Sequence, residues 1–303
     1  MEAAVQDQQY FPERASTQHT LSECFQRYRE AILPHCSRTL QLNRTIHLRW
    51  LDEHLGTLSL AVVRTHHLTQ AREQLRQQVG PATANRYFTS LSAVCTVAQR
   101  EWGWLAANPV HEVTKLPEPR GRVRFLSEEE RLRLLEACRQ SVMPYLAPLV
   151  ILALSTGARR GELLKLTWSD VDFSRQRLTF YHTKNRTPRS VPLGQYGLVV
   201  LQQWQHQQGT VHGKVFPSGG QADLDCHKAW KTALRRAEIN NFRFHDLRHT
   251  CASYLAMNGA SLLEIADVLG HKTLQMVQRY AHLTEAHTRG VVERMTRAVF
   301  GEP

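Results

Sequence analysis

Apolar positions recur at helical intervals over long blocks of this chain. After Thr20, the residues Leu21, Phe25, Tyr28 and Ile32 repeat every three to four positions, and Thr20 with Glu23 has the spacing at which a hydroxyl and a carboxylate cap one helix start. Related patterns predict helices around 38–55 and 66–78. A fourth begins near Pro81, where Ala84, Tyr87, Phe88, Leu91, Val94, Cys95 and Ala98 form one stripe that fades near Gly103. These four helices predict a helical unit over 19–107, preceded by a tail at 1–18 that has no period.

The period disappears in NPVHEVTKLPEPRGRVR, residues 108–124, where prolines and basic residues alternate with no apolar stripe. That stretch reads as an extended basic linker. A second unit, 125–303, opens with Ser127 and Glu130 at capping-box spacing and continues into an apolar helix that stops at Thr156 and Gly157. In QRLTFYHTKNRTPRSVPLG, two short alternating runs flank a polar turn containing Asn185 and Pro188, which predicts a β-hairpin. Helical periodicity returns from Gly197, with another capping box at Ser261 and Glu264 and a stop at Gly270. The expected fold is mainly α with a small β-sheet, a helical N-terminal unit joined to a mixed α+β second unit. A last stripe of Val291, Val292, Met295, Ala298, Val299 and Phe300 predicts a docking helix. Docking on its own unit and docking on a neighbouring copy both remain open.

Composition narrows the function. Lys and Arg number 38 against 27 Asp and Glu, a formal charge of +11 that favours polyanionic partners, nucleic acid first and anionic membrane second. The longest apolar run, YLAPLVILALSTG, is too short to span a bilayer, and MEAAVQDQQYFPERAS lacks the basic and apolar blocks of a signal peptide. Cys24, Cys36, Cys95, Cys138, Cys226 and Cys251 form no C-x-x-C pair, so they read as reduced thiols and a cytoplasmic location is expected.

Candidate chemistry concentrates in RFHDLRHTCASYL, residues 243–255. On a helix, His245 lies one turn from both Arg248 and His249. The i, i+4 histidines have a zinc-like spacing, but no Cys, Asp or Glu is placed to complete a site, and a solvated basic face is the simpler reading. Other segments change that weighting. STGARRGELLKLTW offers Arg159, Arg160 and Glu162 at a helix start, and Arg159 with Arg248 suits a shared tetrahedral anion. Downstream, His271 follows the stop at Gly270, and Tyr280 sits in a short helical pattern.

Four ordered stretches, TGARRGELLKLTW, TKNRTPRSVPL, HDLRHTCASYL and LGHKTLQMVQRY, resemble the tyrosine recombinases, the family of phage integrases and of Xer-type and Cre-type enzymes. The resemblance covers the second unit almost end to end and implies that it is the catalytic domain, with the first unit as a core-binding, DNA-contacting domain. It implies roles residue by residue. Arg159 and Arg248 clamp the scissile phosphate, Lys184 protonates the departing 5′-oxygen, His245 assists acid/base transfer, His271 hydrogen-bonds the phosphate, and Tyr280 is the nucleophile. Glu162 supports the site, and His249 stands behind His245 as a further supporting histidine. Val277 departs from the family, where Thr is common; Arg160 beside Arg159 leaves the register of the first arginine to be set by its distance from Thr156 and Gly157.

The resemblance further implies cleavage and rejoining of DNA strands through a 3′-phosphotyrosyl intermediate and a Holliday junction. No metal, ATP or other cofactor is called for. The implied partners are duplex recombination sites, four protomers acting on two of them, and accessory DNA-bending or directionality proteins; no membrane is involved. A C-shaped clamp around the duplex and a requirement for core sites alone are expected, since 1–18 is short for an extra arm-binding domain. Two rival readings stand beside this one. A type IB topoisomerase-like enzyme would share the tyrosine and arginines but relax supercoils as a monomer, and a regulator would use the helices over 253–280 only to bind DNA.

Overall fold

The structure is a computed structural model that describes residues 16, 18–119, 124–181 and 187–301, without the side chains of 223, 284–289 and 291. The chain divides into two compact units, residues 1–121 and 122–303.

In the first unit, helices α1 (Leu21–Ala31), α2 (Arg38–Leu55), α3 (Thr65–Val79) and α4 (Pro81–Arg100) follow the apolar periods closely. Thr20 caps α1 by accepting the Glu23 N–H, while the Glu23 carboxylate accepts the N–H of Thr20, so two otherwise orphaned donors are satisfied. Gly80 takes φ +78° immediately before Pro81, the first residue of α4. Phe25, Leu48, Leu51, Leu68, Leu75, Leu91 and Val94 close the core between the four helices.

The segment after α4 differs from the expected extended linker. Asn108 caps a 3₁₀ turn, Pro109–Glu112, and Val110 and Leu116 are buried against the helices. The Asn85 side chain bonds both the N–H and the C=O of Leu116, at 3.0 and 2.9 Å. The chain therefore stays docked on the first unit through Leu116, and proline content alone misreads it because the docking is tertiary.

The second unit is built around α6 (Leu146–Thr156), which packs against α5 (Glu128–Arg139), α8 (Gln195–Gln208), α9 (Gln221–Arg236) and α10 (Asp246–Met257). Leu146, Leu149, Val150, Leu152 and Ala153 are all buried, as expected of a helix that is apolar on every face. Ser127 and Glu130 cap α5, and three glutamates in its first turn suit the positive end of the helix dipole. Three antiparallel strands lie in the order β1 (Val171–Asp172), β2 (Arg177–Phe180) and β3 (Arg189–Pro192), with Leu178 opposite Val191 and Phe180 opposite Arg189. β1 is an addition to the expected hairpin, too short to carry a period. A one-turn helix α7 (Arg160–Leu163), then α11 (Leu262–Leu269) and the C-terminal α12 (Glu285–Phe300), complete the unit.

The second unit holds two apolar clusters. The larger joins α5, α6, α8, α9 and the sheet, whereas a small one contains Ala252, Ala256, Ile265, Ala266, Leu269, Val277 and Tyr280. Among the described residues no helix is long and apolar enough to cross a membrane, and no group of three or more His, Cys, Asp or Glu is placed to hold a metal ion. None of the six cysteines is joined in a disulfide.

Candidate active site

Arg248 organises the site from the first turn of α10. It is only 4% exposed, and its guanidinium donates to the carbonyls of Gly157 at 2.8 Å and Leu269 at 2.6 Å. Those carbonyls belong to the C-terminal ends of α6 and α11, where unpaired C=O groups and the negative ends of two helix dipoles meet the buried cation. Both helices terminate in left-handed glycines, Gly157 at φ +59° and Gly270 at φ +66°. A Cβ at Gly157 would stand 2.3 Å from Leu269 Cδ2, so the two helix ends approach as closely as they do because no side chain intervenes. The chain leaving Gly157 delivers Arg159, and the chain leaving Gly270 delivers His271. One arginine therefore spaces two others of the expected site residues.

Arg159 is held by Glu162. Its guanidinium meets Glu162 Oε1 at 2.7 Å, and its backbone N–H meets Oε2 at 2.9 Å, in a capping box that starts α7. Glu162 is 3% exposed and also accepts from Arg189 at 2.9 Å. Burial by itself would raise the Glu162 carboxyl; the Arg159 N–H bond and the charges of Arg189 and Arg159 outweigh it and hold the group ionised.

Arg189 is the residue that the sequence reading passes over. It lies in β3 on the same face as Val191 and Leu193, so a strict two-residue period through SVPL already marks it as an inward-pointing charge. The expected Lys184 lies in the turn between β2 and β3, outside the described residues.

Tyr280 falls in a 3₁₀ segment, Gln278–Thr284, packed on α10 and α11. It is 1% exposed, and its hydroxyl lies 2.5 Å from His249 Nδ1. Burial pushes the phenol up to about 12 against the pull of Arg279 and Arg248, whereas burial, then the charges of His245 and Arg279, push His249 down to about 4. At neutral pH the hydroxyl is therefore protonated and shares its hydrogen bond with a neutral imidazole. His249, ranked behind His245 in the sequence, is the histidine that meets the tyrosine. His245 lies alongside, its ring 5.5 Å from that of His249 in an edge-on arrangement, and partial burial followed by the charges of Arg248 and Arg159 lowers its pKa.

His271 completes the group. Its Nδ1 is buried without a hydrogen-bond partner, and burial, then Arg248, Arg159, Arg279 and Arg189, push the ring down to about 4. Burial first, then Arg159 and Arg189, lower Arg248 to about 9, which leaves it cationic at neutral pH. Arg159, Glu162, His245, Arg248, His249, His271 and Tyr280 thus come together, and Arg189 joins them.

Residues 124–287, more than half of the chain, match the phage integrase family, and the chain belongs to that family. It is 34% identical to the integrase of Salmonella phage P22 over 224 residues, covering 68% of this chain and 55% of that one. It is 32% identical to the shufflon-specific DNA recombinase of Escherichia coli over 240 residues, covering 78% of this chain and 60% of that one. The chain therefore spans little more than half the length of these relatives. In fold, it is similar to the Tn1549 transposon integrase solved with transposon right-end DNA, with a TM-score of 0.75 over 91% of this chain and 99% of that one at 18% identity. It is also similar to the lambda integrase dimer bound to a core site, with a TM-score of 0.69 over 86% of this chain and 95% of that one at 21% identity.

Proposed function

We propose that the chain is a site-specific DNA recombinase that cuts and rejoins strands through a 3′-phosphotyrosyl intermediate. The observation that carries this reading is a charge excess. Three arginines, Arg159, Arg189 and Arg248, act on one another against two buried carboxylates, Glu162, shared by Arg159 and Arg189, and Asp246. Buried positive charge of this kind is completed by an anion, and guanidinium forks suit the oxygens of a phosphate. Arg248 uses two donors on backbone carbonyls, and a guanidinium carries five.

In the forward step the Tyr280 oxygen attacks phosphorus and the bond to the 5′-oxygen breaks. The phenolic proton passes to His249, and the 5′-oxygen takes a proton from Lys184 as it leaves with the bonding electron pair. Arg159, Arg248 and His271 stabilise the charge that develops on the non-bridging oxygens, while His245 assists proton transfer beside His249. The entering phosphate also offsets the arginine charges that depress the histidines, so their proton affinity rises when DNA is in place. Attack by a 5′-hydroxyl of a partner strand reverses each step, which conserves the bond and needs no nucleotide cofactor.

The substrate is duplex DNA, bound by the helical first unit together with the catalytic second one, and most affinity comes from basic residues on phosphates. Four protomers act on two sites through a Holliday junction, with DNA-bending or directionality proteins as accessory partners. The absence of a disulfide among the six cysteines supports a reducing compartment, the cytoplasm, with the protein on the nucleoid when bound to DNA. The test is capture of covalent adducts from a random-sequence duplex pool carrying a nick that traps cleavage. Adducts mapping to Tyr280 and lost in Tyr280→Phe are expected; adducts at another residue, or none from the folded chain, overturn the reading.

A further inference from the structure

We propose that Arg189 is a positioning residue that holds Arg159 and the His271 loop in one frame, so that the two phosphate-facing groups and the base of the β2–β3 hairpin are set by a single side chain. The inference rests on the recombinase reading above.

The contacts of Arg189 reach three separate elements. One terminal nitrogen donates to Glu162 Oε2 at 2.9 Å, and that carboxylate holds Arg159 through both its guanidinium and its backbone N–H. The other donates to the carbonyl of Val268 at 2.5 Å, in the last turn of α11, three residues before His271. Its Cδ packs where a Cβ on Gly270 would stand, 2.6 Å away, so Gly270 is small both for its left-handed φ and for the arginine stem. The guanidinium lies over the ring of Phe180, its partner across the hairpin, 5.0 Å from the centroid.

A purely structural role explains this arrangement poorly. The side chain is 10% exposed, and its Nε is buried with no hydrogen-bond partner. Burying a charge with a donor left unmatched is costly, so stability alone does not call for an arginine at this position. Glu162 would still keep Arg159 as its ion-pair partner, so the carboxylate is not stranded when Arg189 is replaced. What an apolar replacement cannot do is bond Glu162 and Val268 at once. A lysine, with one nitrogen, cannot span both at these distances either.

The test uses the full chain on a nicked duplex selected by adduct capture, with the scissile phosphate either ordinary or carrying sulfur at the bridging 5′ position. Sulfur leaves without needing a proton, so the second substrate bypasses Lys184. Arg189→Met is expected to slow adduct formation about 100-fold at saturating DNA on both substrates, the size that misplacement of reacting groups by about 1 Å produces. DNA affinity is expected to stay near that of the parent chain, and the thermal midpoint to fall while the chain stays folded at the assay temperature, with Arg189→Lys intermediate in rate. Combined with Arg159→Lys, Arg189→Met is expected to add little further loss, because both act on one frame; combined with Lys184→Ala, the losses multiply. Rescue of Arg189→Met by the sulfur substrate would overturn the proposal, since it would place the residue in leaving-group protonation. An unchanged rate, or losses that multiply with Arg159→Lys, would overturn it as well. Should Arg189→Met fail to fold, Arg189→Lys and its cycle with Arg159→Lys decide the same question. Failure of the parent chain to form any adduct at Tyr280 would instead remove the recombinase reading, and the two failures are distinguishable.

Discussion

The Tyr280 hydroxyl and Nδ1 of His249 share a hydrogen bond of 2.5 Å, joining the 3₁₀ segment to the first turn of α10. A phenol held near 12 is a poor nucleophile at neutral pH, and a neutral imidazole within hydrogen-bond reach of its oxygen is the group placed to take its proton. His249→Phe is expected to slow adduct formation by about 100-fold while DNA affinity is unchanged, the usual scale for losing one proton-transfer group. Single-turnover cleavage of a nicked duplex measures it. An equal loss in His245→Phe with none in His249→Phe would reverse the assignment.

Folding holds His249 and His271 near 4, below their ordinary value of 6.5. The unfolded chain therefore binds more protons in this window, so the contribution is present above 6.5 and is lost as pH falls toward about 4. The urea midpoint of the catalytic unit is expected to drop between pH 7 and pH 4.5, and His249→Phe is expected to flatten part of that slope. A midpoint that is level across the window would contradict the burial of these rings in their neutral form.

Arg248 is a structural member as well as a candidate phosphate ligand. Arg248→Leu removes a buried cation from two helix-end carbonyls, and Arg248→Lys keeps the charge but reaches one carbonyl at a time. Losses of about 3 kcal/mol for leucine and about 2 kcal/mol for lysine are expected, on the scale of buried charged hydrogen bonds. Denaturant unfolding of the DNA-free chain reads them. Stability unchanged in both variants would mean that the two helix ends do not depend on this side chain.

Gly270→Ala is expected to destabilise by about 2 kcal/mol, from the left-handed backbone and from collision with the Arg189 stem. Pairing Gly270→Ala with Arg189→Ala relieves the collision while keeping the backbone cost and the loss of the Arg189 bonds, so the double variant is expected to be less destabilised than the sum of the two single variants. Thermal or urea unfolding of all three chains tests the coupling.

Much of the helical framework is legible in the sequence because its signals are local. Thr20 with Glu23, Ser127 with Glu130 and Ser261 with Glu264 form their capping boxes within one turn, and the stops at Gly157 and Gly270 fall where the apolar stripes end. The docked stretch through Leu116 is not legible, because it depends on Asn85 in another helix. The choice between His245 and His249 is likewise hidden. It is made by the packing of a segment 31 residues further on, which sequence spacing within one helix cannot report. Arg189 stands between these cases: its inward position follows from the strand period, but its partners on α7 and α11 do not.

The small apolar cluster beneath Tyr280 is separate from the main core of the catalytic unit. Alanines supply three of its seven buried members, so it removes little oily surface from water and opens at a lower free energy than the core that seats α6 and the sheet. Arg159 and Glu162 are anchored on the stiff side of that divide, and the tyrosine is anchored on the soft side. In the proposed reaction the phosphate-holding arginine is thus carried by the better-packed part of the unit, and the nucleophile by the part that opens more readily.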